Sequence, residues 1–380
     1  MVFTQEQLGL QQMVHEFAEK EIRPVAKEYD KTGEFPMELY KKTVEMGIHC
    51  LDMPEEYGGP GISHVTASLL REEMSWGDAG FSLSVGANSL GMKPLMIAGT
   101  KEQCQHFADI VVPGGFSAFA LTEPDAGSDA GSVKTTAVRV GDEYILNGRK
   151  CFITNGGLAD IYTVVASTDK SKGTRGLTMF SVDRNTPGIS VGKHEDKLGI
   201  RLSNTADVIF EDVRIPAANR IGDEGKGFKI AMMTLNEGRA STAASACGIA
   251  RAAFEYAIRY SQERITFGQP ICKNQAVAFM LADMGTRLEA ARLMGLKAAE
   301  LQDLRSPELG MYGAMAKCFA TDVLQEIVSN AVQIFGGYGY MRDYPVEKLY
   351  RDSKIYQIFE GTNQIQRMVI SGQLLKKYAL

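Results

Sequence analysis

The sequence predicts an α+β chain in three parts: an N-terminal α-helical domain over 1–115, a middle antiparallel β domain over 116–225, and a C-terminal four-helix-type bundle over 226–380. Three observations predict it. Apolar residues recur with helical period towards both ends, short β-branched and aromatic runs fill the middle, and strands never alternate with helices as a parallel sheet requires. A chain of 380 residues is also too long for one ordinary core, at roughly 100–200 residues per domain.

Near the start, Leu10, Met13, Val14 and Phe17 fall at i, i+3, i+4 and i+7, one face of a helix. This helical region is interrupted by PEEYGGPG (54–61) and closed by Pro113-Gly114-Gly115. From about 116 to 216, TTAVRV, EYILNGRKCFIT, IYTVVAS, LTMFSVD and ADVIFEDVRI read as strands parted by turn residues. After IGDEGKGF (221–228), helical spacing returns in Phe228, Ala231, Met232 and Leu235, and later in Val277, Met280, Leu281, Met284 and Leu288. Neither GxGxxG nor GxxxxGK[ST] occurs, so a dinucleotide has to bind in another way.

Composition narrows the function classes. Forty-one basic against 46 acidic residues, net −5, provide no positive field for a nucleic acid. Charged residues break every apolar run before the ~20 residues that span a bilayer, so no membrane span is expected. Six cysteines without a CxxC read as free thiols in a reducing compartment, and the five histidines show no i, i+4 pair to hold a metal. The amphipathic N-terminus lacks the apolar core of a targeting segment; the expectation is a cytoplasmic protein, or a mitochondrial matrix protein if the chain is processed.

Four segments carry the chemistry. FALTEPDAGSDAG (119–131) sets a strand end against a polar turn where Thr, Ser and backbone N–H groups can meet an acceptor-rich ligand, though a surface turn has the same composition. FITNGG (152–157) places a flat apolar wall beside a hydroxyl, and QIFGGYGY (333–340) either stops a helix or lets a ligand approach the backbone. In YQIFEGTNQIQR (356–367), Glu360 follows an apolar run, where desolvation would raise its pKa towards that of a useful base; the alternative is a solvated glutamate at a helix start. Thr362 is placed to cap the helix that follows.

In this order LTEPDAGSD, FITNGG, RITFGQPI, QIFGGYGY and RDSKIYQIFEGTNQIQ resemble the acyl-CoA dehydrogenase family across essentially all 380 residues. Asn88-Ser89-Leu90-Gly91 is similar to its short- and medium-chain branches. The resemblance implies FAD between the β domain and the bundle, with Phe119, Leu121, Thr122 and Ser128 around the ring and pyrophosphate, and Phe152, Ile153 and Thr154 flanking the flavin. It implies that Arg264, Thr266, Phe267, Gln275, Gln333, Ile334, Gly336 and Gly337 reach the FAD of a partner protomer in a homotetramer, with Thr362 and Gln364 also in the cofactor set. Ser128, Asn236, Arg239, Phe359 and Gly361 are the implied substrate contacts. Glu360 is the implied base: it takes the α-proton of an acyl-CoA while the β-hydrogen leaves as hydride, giving the trans-2-enoyl-CoA, and electrons pass to an electron-transferring flavoprotein. The thioester oxygen would be held by the Glu360 backbone N–H and a ribityl hydroxyl.

One branch of the family carries its base in the segment matching LNEGR (235–239), at the position of Gly238; Glu237 is one residue off, a rotation of about 100° on a helix. Phe81, Ser82, Leu83 and Gly86 are the expected acyl-tunnel residues, Gly86 leaving room for a medium, branched or cyclic group. With no cation in 77–91, a dicarboxylic substrate is not expected. Open alternatives are an oxidase, disfavoured because the chain ends soon after the EGT segment, an enoyl-CoA reductase working in reverse, and a non-catalytic, DNA-associated flavin binder.

Overall fold

A computed structural model describes residues 2–379. Six helices open the chain: α1 (Gln5–Phe17), α2 (Arg23–Thr32), α3 (Met37–Glu45), α4 (His64–Gly77), α5 (Ala79–Ala98) and α6 (Lys101–Val111). Their starts follow from local chemistry. Thr4 and Thr100 form capping boxes with Gln7 and Gln103, and the Asp78 carboxylate accepts from Phe81 N at 2.8 Å to begin α5. Helix α5 then passes close against the sheet: a Cβ at Gly91 would lie 2.5 Å from Ser117 Oγ, so only glycine permits that approach.

The middle region is one eight-stranded sheet among the described residues. Its strands are β1 (Ser117–Ala120), β2 (Thr136–Val140), β3 (Glu143–Thr154), β4 (Ile161–Ser167), β5 (Leu177–Asp183), β6 (Ile189–His194), β7 (Thr205–Pro216) and β8 (Arg220–Ile221). The order is β6-β7-β3-β2-β4-β5-β8 with β1 on β4. The pairings are antiparallel as expected, except that β1 and the first residue of β2 run parallel to β4. Strand β4 is buried at every position, so its apolar run shows no alternation.

Helix α7 (Gly227–Glu263) begins the bundle, followed by a small hairpin, β9 (Ile265–Thr266) and β10 (Gln269–Pro270). Then come α8 (Gln275–Asp303), α9 (Leu309–Phe335), α10 (Val346–Ser353) and α11 (Asn363–Lys377). Alanines and glycines on α7 let it pack tightly against α4, where a Cβ at Gly248 would sit 2.1 Å from the Glu72 carbonyl oxygen. Buried ion pairs bind the bundle to the N-terminal helices, with Arg251 on Glu72 and Glu73, and Lys348 on Asp78; Lys348 also pairs with Asp352 within α10. No helix among the described residues is long and apolar enough to cross a membrane.

Candidate active site

A cavity of about 790 Å³ opens where α5, α7, the ends of β1 and β3, and the segment before α11 converge. That volume lies within the range of small-molecule and cofactor sites. It gathers Phe119, Leu121, Thr122, Ser128, Phe152, Ile153 and Thr154 from the β side, and Arg239, Phe359, Glu360 and Gly361 from the helical side. Segments separated by more than 200 residues thus meet at one place.

Glu360 sits at a strained turn. Its φ is +54° and that of Gly361 is +81°, a conformation costly for any residue other than glycine, so the surroundings must hold it. Two buried side chains do so. Gln366 Nε2 donates to the carbonyls of Glu360 and Gly361 at 3.0 and 3.1 Å, and Lys317 Nζ donates to the Gly361 carbonyl at 2.9 Å and Asn363 Oδ1 at 2.8 Å. Thr362 caps α11 by accepting from Ile365 N at 3.2 Å. The result is a carboxyl whose Oε2 is buried without a hydrogen-bond partner. Burial raises its pKa above the ordinary carboxylate value, while the cations of Lys317, Arg239 and Lys93 pull the other way.

Gly238 faces this carboxyl across the cavity: a Cβ there would lie 3.1 Å from Glu360 Oε2 and 3.8 Å from Leu90 Cδ1. Glu237, one position earlier, does not line the cavity. Arg239 does; it is buried, its Nε has no partner, and burial lowers its pKa to about 10.

On the opposite wall, Phe152 has φ +57° where the β3–β7 register shifts, and its ring is 64% exposed. Such a bulge turns a side chain out of the sheet. The turn after β1 is rigid because Glu123, paired with buried Lys150 at 2.7 Å, also accepts from Lys134 N and Thr135 N. Asn155 ties the end of β3 to α5, donating from Nδ2 to the Ser84 carbonyl at 2.9 Å and accepting from Ser84 Oγ at 2.6 Å.

Ser82, Leu83 and Gly86 line the cavity, and Gly86 has open space where a Cβ would stand. Phe81 does not: its ring is fully buried against Phe35, because adjacent helical residues diverge by about 100°. The segment 77–91 contributes no charged side chain to the cavity lining, yet the cavity is not neutral. Arg71 from α4 and Lys93, one turn beyond Leu90, both line it together with Asp52.

Arg264, Thr266, Ile334, Gly336 and Gly337 form a separate groove with Tyr260 and Tyr338, outside the central cavity. Gly336 has φ +59° and stops α9. Phe267 projects from the neighbouring hairpin, 99% exposed. Asn236, Gln275, Gln333, Thr362 and Gln364 line neither space. Sequence reasoning passed over Lys317, Gln366 and the Asp52–Arg71–Lys93 group. The available signal was a lysine inside the apolar run of α9.

Comparison with known proteins agrees with this architecture. Residues 4–114, 118–213 and 225–375 match the N-terminal, middle and C-terminal domains of acyl-CoA dehydrogenase. An acyl-CoA dehydrogenase of Bacillus subtilis (strain 168) is 49% identical over 378 residues, 99% of each chain. The caffeyl-CoA reductase-Etf complex subunit CarC of Acetobacterium woodii is 45% identical, over 99% of this chain and 100% of its own. The solved butyryl-CoA dehydrogenase of Megasphaera elsdenii superposes with a TM-score of 0.96 at 45% identity, covering 99% of both chains. The chain therefore belongs to the acyl-CoA dehydrogenase family of FAD-dependent flavoprotein oxidoreductases.

Proposed function

We propose that the protein converts a short acyl-CoA thioester to its trans-2-enoyl-CoA in fatty acid metabolism, with Glu360 as the base and an electron-transferring flavoprotein as the electron acceptor. The observation that carries this is the buried, unpartnered Glu360 Oε2 facing a cavity whose other wall is apolar and hydroxyl-bearing. That wall suits FAD: Phe119, Leu121, Phe152 and Ile153 offer a flat apolar surface, and Thr122, Ser128 and Thr154 offer hydroxyls. FAD, when bound, supplies a ring that accepts the β-hydrogen as hydride.

The chain's residues do the rest. Glu360 takes the α-proton, and its raised pKa makes that transfer more favourable than for a solvated carboxylate. Arg239 favours the charged carboxylate before the proton arrives. The Glu360 backbone N–H, presented by the pinned turn, is the donor assigned to the thioester oxygen. Arg239, Phe359, Gly361 and Ser128 all line the cavity, and this reading assigns them to the substrate. Asn236 and the remaining cofactor residues act outside this cavity.

The same reading divides the chain at 115/116 and 225/226. It makes the Arg264–Gly337 groove, with Phe267 beside it, the part of one protomer that completes a neighbour's FAD site in a homotetramer. It also places the protein in a reducing compartment, the cytoplasm; buried free thiols at Cys50, Cys104, Cys151, Cys247 and Cys318 support this. A second reading, reduction of an enoyl-CoA, is favoured by the similarity to the Acetobacterium woodii reductase subunit. Glu360 serves it equally, returning the α-proton as an acid.

The test is anaerobic bleaching of the flavin near 450 nm by a panel of acyl-CoAs, repeated for Glu360→Gln and Glu237→Gln. Bleaching lost by roughly 10²–10⁴-fold in Glu360→Gln alone is expected of a general base. Loss only in Glu237→Gln would overturn the base assignment, and no bleaching by any thioester would overturn the reaction.

A further inference from the structure

We infer that the cavity is built for an acyl group carrying a second, anionic end: a short dicarboxylic monothioester, not a simple fatty acyl chain. This rests on the acyl-CoA reading above and adds the substrate's far end to it. The observation is a charge imbalance inside the cavity. Arg71 and Lys93 are 7% and 4% exposed, and both line it. They share a single carboxylate: Arg71 donates to Asp52 Oδ1 at 2.7 Å and to Ser89 Oγ at 3.2 Å, and Lys93 donates to Asp52 Oδ2 at 2.9 Å.

A pair serving only to join α4 to α5 needs one cation for one anion. Here two buried cations share that anion, and the other carboxylate that Lys93 acts on, Glu360, is the one the reaction neutralises, so keeping both cations buried is expensive unless a lasting counter-charge arrives from the cavity. Arg239 adds a third buried cation to the lining, whereas the further carboxylates there, Asp129, Glu195 and Asp196, are exposed or half-buried and engage Ser132, Lys193 and Arg201. The walls leave an anionic substituent a clear destination.

Position sets the length. Leu90 lies beside the Gly238–Glu360 contact, and Lys93 is three residues further along α5, about 4.5 Å of helix rise. That separation of about one helical turn is what a few carbons beyond the thioester would span. The fork of Arg71 suits a carboxylate, and the Lys93 ammonium adds a charge-assisted bond.

The experiment compares glutaryl-CoA with valeryl-CoA, and adipyl-CoA with hexanoyl-CoA, by calorimetric titration of the Glu360→Gln holoprotein, in which binding is measured without turnover. Each pair matches carbon for carbon, so the ratio of their Kd values reports the carboxylate alone. The expected ratio favours the dicarboxylic thioester by roughly ten- to hundredfold, as for a charge-assisted hydrogen bond in a buried site. It should fall towards one in Lys93→Met and in Arg71→Met, each of which leaves a neutral pair with Asp52.

A ratio at or below one overturns the inference, as does a ratio that neither substitution moves. Equal weakening of both members of a pair overturns it too, since the cations would then hold a part common to all CoA thioesters. Binding of valeryl- or hexanoyl-CoA without any preference sinks this inference and leaves the acyl-CoA reading standing. Failure of all four thioesters to bind sinks both.

Discussion

Replacing Gly238 by alanine places a Cβ 3.1 Å from Glu360 Oε2 and 3.8 Å from the carbon of the same carboxyl group. The oxygen contact is a few tenths of an ångström tighter than a relaxed one, and the atom that must yield is the end of a side chain. The cost to folding is correspondingly small. Against it stands the gain from removing glycine from the interior of a 37-residue helix, about 0.5–1 kcal/mol. Stability should therefore stay level or rise by up to ~1 kcal/mol. Chemistry should respond in the opposite direction, because the turn holding Glu360 is pinned by Gln366 and Lys317 and only the carboxyl itself has freedom to move. Moving a reacting group by a fraction of an ångström to one ångström costs up to ~10²-fold in rate. Single-turnover flavin reduction at saturating acyl-CoA, run beside thermal unfolding of the holoprotein, measures both quantities. An unfolding midpoint at or above wild type with a 10- to 100-fold slower reduction is expected. Wild-type reduction rates in Gly238→Ala would refute the argument that Glu360 works at the place where the two elements face each other.

Three further outcomes follow from the same geometry. Arg239 favours the charged form of Glu360, so Arg239→Gln should raise the base's pKa further and move the acid limb of the single-turnover pH profile to higher pH; a limb that stays or moves down contradicts the assignment. Lys150→Met leaves Glu123 buried without its cation and should destabilise the protein by about 3–5 kcal/mol in denaturant titration, whereas a neutral effect would mean that the pair does not hold the turn after β1. Phe267→Asp puts a charge on an exposed hairpin tip whose positive φ aspartate tolerates, so the isolated fold should survive while sedimentation shows smaller assemblies and flavin is lost; an unchanged mass would remove this hairpin from the assembly surface.

Much of the site was legible because its pieces are local. Glu360 stands between an apolar run and Gly-Thr, and that adjacency alone indicates a partly dehydrated carboxyl beside a helix start; the structure shows the cap and the burial. Phe152–Thr154 at the end of a strand and the glycines after Phe335 are likewise read from neighbours in sequence. Phe81 was misplaced because a stretch of helix was treated as if all its residues faced one way, whereas Phe81 and Ser82 point in different directions from α5.

The sequence by itself determined the helix–strand–helix order, the cap at Thr362, the turn glycines and the apolar setting of the carboxyl proposed as base, because each depends on spacing or on immediate neighbours. Tertiary structure alone decided what surrounds that base. Lys317 and Gln366 pin the Glu360 turn from α9 and α11, Gly238 meets it from α7, and Arg71 and Lys93 charge a cavity to which the segment 77–91 brings only uncharged side chains. These groups are tens to hundreds of residues apart along the chain. Burial and Coulomb interactions depend on distances in space, which neither periodicity nor adjacency in the sequence encodes.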